Sequence, residues 1–226
     1  MFKLATKNQR GFTLIEILVA ITIIGLVLGV SINTFTSNTS RIDEVVNDVE
    51  RAIRYSVDEA ALRNTIIRTR FYLDGKPQKM SVEYGPDDSF VIPISQIEPA
   101  DTSVLNEEEN KKKDKEFDKK FNRVPEFSDG PRNIHESVRI IGVGSSLSGL
   151  LYLEGQASIY TYPSGEKDGG IIILGDDSIV TAVSFDPFLL GFKYERKLLD
   201  PDILYEELEA EQDKIAQEIF EAWIKK

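Results

Sequence analysis

A basic leader ends in glycine, and an apolar run starts at the next residue. That order leaves the chain few ways to use its first thirty positions. Lys3, Lys7 and Arg10 precede Gly11, and Phe12-Thr13-Leu14-Ile15-Glu16 then opens an apolar stretch that continues over residues 17–30. Residues 12–32 make about 21 residues, roughly 31 Å as a helix at ~1.5 Å per residue, which is the length needed to cross hydrocarbon. Glu16 lies four residues inside the stretch. Insertion into lipid penalises such a charge by about 2.5–3.5 kcal/mol, so the acid is a functional candidate. With Lys3, Lys7 and Arg10 before the stretch and Arg41 after it, the positive-inside rule predicts a single-pass inner-membrane protein. Its N-terminus is expected in the cytoplasm and its C-terminal domain in the periplasm.

A secretory signal is cut after its apolar region, next to small residues. Here the small residue comes first. A cut between Gly11 and Phe12 removes the leader and leaves the apolar helix on the mature chain. The run Gly11-Phe12-Thr13-Leu14-Ile15-Glu16 resembles the class III signal of type IV prepilins, the family of type IV pilins and type II secretion pseudopilins. The resemblance implies cleavage after Gly11 by prepilin peptidase and N-methylation of the new Phe12 amine. It also places Glu16 at the fifth mature position, where the family keeps a glutamate. A carboxylate in a greasy setting is costly alone and tolerable when paired. The Phe12 amine of an incoming subunit, still cationic after methylation, could meet Glu16 of its neighbour and set the register of assembly. The competing reading is a plain anchor whose Glu16 snorkels to the interface. Gly25 and Gly29 form a small-xxx-small pair that permits close helix approach; glycine is also common in such helices for other reasons.

Composition narrows the rest. The formal net charge is −11. Loss of the three leader cations with residues 1–11 takes it to about −14, which argues against a general nucleic-acid binder. No cysteine is present, so no disulfide can brace the domain. The single histidine, His135, sits in a polar stretch and reads as a surface residue; zinc coordination would need more ligands.

Beyond the apolar run, residues 33–40 are rich in Asn, Ser and Thr, which loosens a helix. Helical spacing resumes with Ile42, Val45, Val46, Val49, Ile53, Val57, Ala60 and Ala61, predicting an amphipathic helix that ends near Asn64. Strand patterns follow at 65–73, 79–84, 89–94, 137–142, 149–154, 156–162, 170–174, 178–185 and 191–197, separated by turn-forming Gly, Pro and Asp. Residues 99–132 are crowded with charges of both signs, and predict a solvated insertion or a docking arm. Asp200-Pro201-Asp202 offers a helix start. Leu204, Leu208, Ile215, Ile219, Phe220 and Trp223 then line one face of an acidic C-terminal helix. The expected architecture is α+β. Residues 1–11 are leader, 12–32 the membrane and assembly helix, and 33–64 its amphipathic continuation. An antiparallel β domain covers 65–199, and the acidic helix 200–226.

The sequence shows no catalytic constellation. There is no thiol, the lone histidine has no evident serine partner, and no carboxylate spacing singles out an acid–base pair. Gly142-Val143-Gly144-Ser145-Ser146 lacks the lysine that a phosphate loop requires. Asp168 and the Asp176-Asp177 pair lie in glycine-containing turns, where they could hold Ca²⁺ or simply form turns. No cofactor is otherwise expected, and no enzyme.

A long N-terminal helix before an antiparallel β domain resembles the type IV pilin plan. Ser56-Val57-Asp58-Glu59-Ala60-Ala61-Leu62-Arg63-Asn64, running into the strand at 65–73, resembles the H-type minor pseudopilin of type II secretion and its FimT-like relatives. Two functions follow from the resemblance. One is a minor pseudopilin that assembles with other pseudopilins through helix packing into a pseudopilus for protein export. The other is a FimT-like minor pilin for pilus assembly or DNA uptake, in which Arg63, Arg68 and Arg70 could form a local basic patch.

Overall fold

The computed structural model describes residues 14–87, 116–124 and 131–225, with backbone only for residues 27–40 and 87. Two compact units divide the chain, Met1–Ser40 and Arg41–Lys226. Helix α1 spans Leu14–Arg63. Its residues in the second unit bury Ile42, Val45, Val46, Val49, Ala52, Ile53, Ser56, Val57 and Ala60, a stripe at three- and four-residue steps facing the sheets. Ala61, expected on that stripe, is exposed, because Ala60 already holds the inward position of the last turn. Asn64 follows at φ 50; asparagine tolerates this left-handed conformation, which terminates the helix.

Ten strands follow among the described residues: β1 (Thr65–Tyr72), β2 (Lys79–Asp87), β3 (Asn122–Arg123), β4 (Arg132–Asn133), β5 (Arg139–Ser145), β6 (Leu150–Tyr152), β7 (Gln156–Thr161), β8 (Gly170–Gly175), β9 (Ile179–Phe185) and β10 (Phe192–Leu198). One sheet has the order β3-β2-β1-β7, with β4 also on β2; the other runs β10-β9-β8-β5-β6. Every pairing is antiparallel. Helix α2 (Tyr205–Ile224) closes the chain. The expected strand at 89–94 lies outside the described residues.

The period-two alternation of the strands builds three apolar layers. The main core joins α1 residues such as Val49 and Ile53 to Ile67 and Phe71 of β1, Ile159 of β7 and Ile172 and Val183 of the second sheet. The opposite face of that second sheet, with Ile171, Ile173, Val180 and Ala182, is covered by Ile215, Ala216, Ile219 and Phe220 of α2. The outer face of the first sheet, with Ile66 and Tyr160, is covered by Phe117 and Phe121. The glycine-rich run 142–146 is strand β5 continuing into a turn.

Two expectations change. Asp200-Pro201-Asp202 forms a turn and not the first turn of a helix. The Asp200 carboxylate accepts from the Asp202 amide at 3.0 Å and its carbonyl from the Ile203 amide at 3.1 Å, as an Asx turn does. Helix α2 therefore starts at Tyr205, which leaves Leu204 exposed. The charged insertion is not solvated throughout. Phe117, Phe121 and Val124 are buried, and this stretch clasps the first sheet. Residues 99–115 and 125–130 lie outside the description.

No helix among the described residues is long and apolar enough to cross a membrane. This overturns the expected single-pass inner-membrane topology, with its cytoplasmic N-terminus and periplasmic domain. Within helix α1, residues 41–63 carry a charged face.

Candidate functional site

The first unit presents an unusual surface. Leu14, Ile15, Ile17, Leu18, Val19, Ile21, Ile23, Ile24 and Leu26 are all exposed, on every side of α1. A helix that is apolar all round belongs inside something larger. Its one described hydroxyl turns inward: Thr22 Oγ1 donates to the Leu18 carbonyl at 2.8 Å, which leaves its methyl group outward. Nothing lies within 4 Å of where a β-carbon on Gly25 would stand, so no packing within the described chain requires that glycine. Glu16 lies in the first turn, where the helix dipole favours an anion, and it is exposed among apolar neighbours. A carboxylate there can receive a cation brought by a second helix. Lys3, Lys7, Arg10, Gly11 and Phe12 lie outside the described residues.

The arginines expected as a local basic patch are occupied. Arg68 is buried; its Nε donates to Glu83 at 2.9 Å and its Nη1 to Asp118 at 2.8 Å. Its guanidinium lies 3.8 Å from the centroid of the Phe121 ring. Arg70 pairs with the same Asp118. Arg63 pairs with Glu59 and stacks on Tyr84 at 4.6 Å. Each of the three arginines has an acidic partner within the chain. The sequence held a clue to this clasp: Phe117 and Phe121 stand four apart, on one helical face, inside an otherwise charged run.

The turn aspartates bind their own backbone. Asp168 is buried, accepts from the Tyr160 amide at 3.0 Å and from the Tyr162 hydroxyl at 3.3 Å. Burial pushes its pKa up to about 6, against the pull of those two hydrogen bonds. Asp176 Oδ1 accepts from the amides of Ser178 and Ile179 at 2.8 and 2.9 Å and from the Ser178 hydroxyl at 2.8 Å. No group of three or more metal-ligating side chains occurs among the described residues. His135 Nδ1 lies 2.8 Å from the Ser137 hydroxyl on an exposed loop.

Residues 6–32 match the protein-family profile of the prokaryotic N-terminal methylation motif. The N-terminal region thus carries a signal typical of type IV pilins and pseudopilins. The architecture beyond it is α+β: an amphipathic helix on antiparallel sheets, closed by a C-terminal helix. No curated protein and no solved structure matches the chain.

Proposed function

We propose that this chain is a minor pseudopilin of a type II protein secretion system, a structural subunit and not an enzyme. The observation that carries the reading is the methylation motif over residues 6–32, continuing into a helix that is apolar and exposed on all sides over residues 14–26. Such a surface gains about 25 cal/mol per Å² when covered, so packing against like helices drives assembly. Prepilin peptidase cuts between Gly11 and Phe12, and the Phe12 amine is then methylated. On assembly, that cationic amine meets Glu16 of the adjoining subunit and fixes the register.

The pseudopilin reading is favoured over a FimT-like DNA-uptake pilin by the internal pairing of Arg68 and Arg70 with Glu83 and Asp118, together with the net charge of −11. Phosphate binding needs uncommitted cations. Mass spectrometry of protein made in cells with an active prepilin peptidase tests the processing. The mature chain is expected to begin at Phe12 and carry one added methyl group. A chain that keeps residues 1–11, or is cut after the apolar run, overturns the proposal. Deleting the protein in its own host separates the two systems: loss of release of a folded secreted protein supports the first, and loss of DNA uptake the second.

A further inference from the structure

Residues 117–121 sit on the outer face of the first sheet as a ligand sits in its site. Phe117 and Phe121 are buried, their ring centroids 5.3 Å apart, and the Phe121 ring lies 6.2 Å from that of Tyr160. Between them, Asp118 pairs with both Arg68 and Arg70 of β1, while Lys119 and Lys120 are exposed. Two aromatic anchors, one acid and two outward residues make a short recognition pattern, aromatic-acid-x-x-aromatic. Beneath it lie the two arginines and the apolar pair Ile66 and Tyr160. Buried aromatic anchors and arginines carry most of the energy in contacts between proteins.

Side chains, more than backbone, hold this segment down. The Lys120 amide donates to the Phe117 carbonyl at 3.0 Å and the Phe121 amide to the Asp118 carbonyl at 3.1 Å, both within the segment. Strand pairing with β2 involves the next residues, Asn122 and Arg123, and Val124 belongs to the main core. Residues 122–124 therefore anchor the segment at one end and can serve as its hinge.

The sheet does not need the segment to neutralise Arg68. That guanidinium also pairs with buried Glu83, whose Oε1 accepts from the Ser81 and Tyr72 hydroxyls at 3.0 and 3.2 Å. Arg70 differs: it pairs with Asp118, and its Nε is buried with no hydrogen-bond partner among the described residues. A buried donor left unmet is costly, so the chain's own segment does not exhaust the site.

We propose that this face is a docking site for a segment of a partner protein that carries an acid between two aromatic residues, and that residues 117–121 occupy it until the partner's segment displaces them. A tethered ligand competes at a high effective concentration, so the free segment binds only when presented at a comparable local concentration. Docking there is independent of how the N-terminal helix assembles.

Full-length protein carrying Phe117→Ser and Phe121→Ser, which frees the face, is titrated in mild detergent with a fluorescein-labelled peptide of residues 116–124, followed by anisotropy. The expected result is saturable binding at least ~10-fold tighter than to the parent, whose own segment competes. Arg70→Gln in the opened protein, or asparagine in place of the peptide's aspartate, should weaken that binding at least ~10-fold. No saturable binding by an opened protein that keeps the parent's circular dichroism, or binding that ignores both changes, overturns the proposal. A second measurement uses the unaltered chain. Unlabelled peptide added to isotope-labelled parent should speed hydrogen exchange of the Lys120 and Phe121 amides at least ~10-fold and leave β8 unchanged. Unchanged exchange at millimolar peptide shows a permanent clasp and overturns the displacement. Dimers of the parent in sedimentation, with the segment swapped between copies, make a second copy the occupant and overturn the partner.

Discussion

The Phe220 ring of α2 lies over Gly144 of β5, where its Cε2 would stand 2.5 Å from any β-carbon at that position. The glycine exists to let the helix seat on the sheet. Gly144→Ala should destabilise the domain by about 1–3 kcal/mol, the usual cost of overpacking. Urea unfolding of the variant measures this. Adding Phe220→Leu should recover part of the loss; a Gly144→Ala variant as stable as the parent would show that α2 does not press on this strand.

Arg68 divides its charge between a buried partner and a partly exposed one. Glu83 is almost fully buried, and the Asp118 side chain is about a third exposed. Glu83→Ala should cost about 3–5 kcal/mol, because it strands a buried cation. Asp118→Ala should cost only about 1–2 kcal/mol, after solvent screening. Denaturant midpoints of the two variants rank them; equal losses would contradict the burial difference.

Asp168 should make stability depend on pH in a definite direction. Its folded pKa of about 6 exceeds the unfolded value of about 3.9, so the native state binds the proton more tightly. Stability from this group is full below about pH 4 and lost as pH rises through about 6, to a total of about 3 kcal/mol. Asp168→Asn keeps both hydrogen-bond partners and removes the titration. The stability difference between parent and variant, followed by urea unfolding at pH 4, 5, 6 and 7, should move in the variant's favour as pH rises.

Glu16→Ala should leave cleavage after Gly11 intact and reduce incorporation into fibres tenfold or more, since about 1.4 kcal/mol lost per contact suffices for that factor. Immunoblots of sheared fibre fractions give the ratio, and the mature N-terminus provides the control. Normal incorporation would show that Glu16 does not set the register.

Gly11→Val should slow leader removal, because a branched side chain at the cut crowds the peptidase. The ratio of uncut to mature chain on a gel reports it, and an unchanged ratio would move the cleavage site elsewhere.

Local patterns predict local structure well here. The stripe from Ile42 to Ala60 and the β-branched and aromatic run Thr65–Tyr72 are set by residues within a few positions of each other, and both reappear in α1 and β1. What escaped the sequence depends on distant partners. Arg68 reads as a surface cation until Asp118, fifty positions on, folds over it. Gln212 reads as part of a polar face, yet it is buried and donates to the Asp176 carbonyl at 2.7 Å. The membrane expectation failed for a different reason: it rested on hydropathy summed over residues 12–32, and no helix among the described residues is long and apolar enough to cross a membrane. Of the candidate site, the methylation motif over residues 6–32 was legible at once, and the occupation of Arg68 and Arg70 was not.

The Asp118 clasp also bears on how the first sheet tolerates change in the chain that reaches it. Strand β2 ends at Asp87, and the chain is pinned again to the same sheet from Phe117 onward. Both ends of the intervening stretch are thus tied down independently of its content. Doubling the length of a flexible connection adds only about 0.6 kcal/mol of closure entropy, so the grip of Phe117 and Phe121 on the first sheet, and not the length of chain leading to them, decides whether the clasp stays shut.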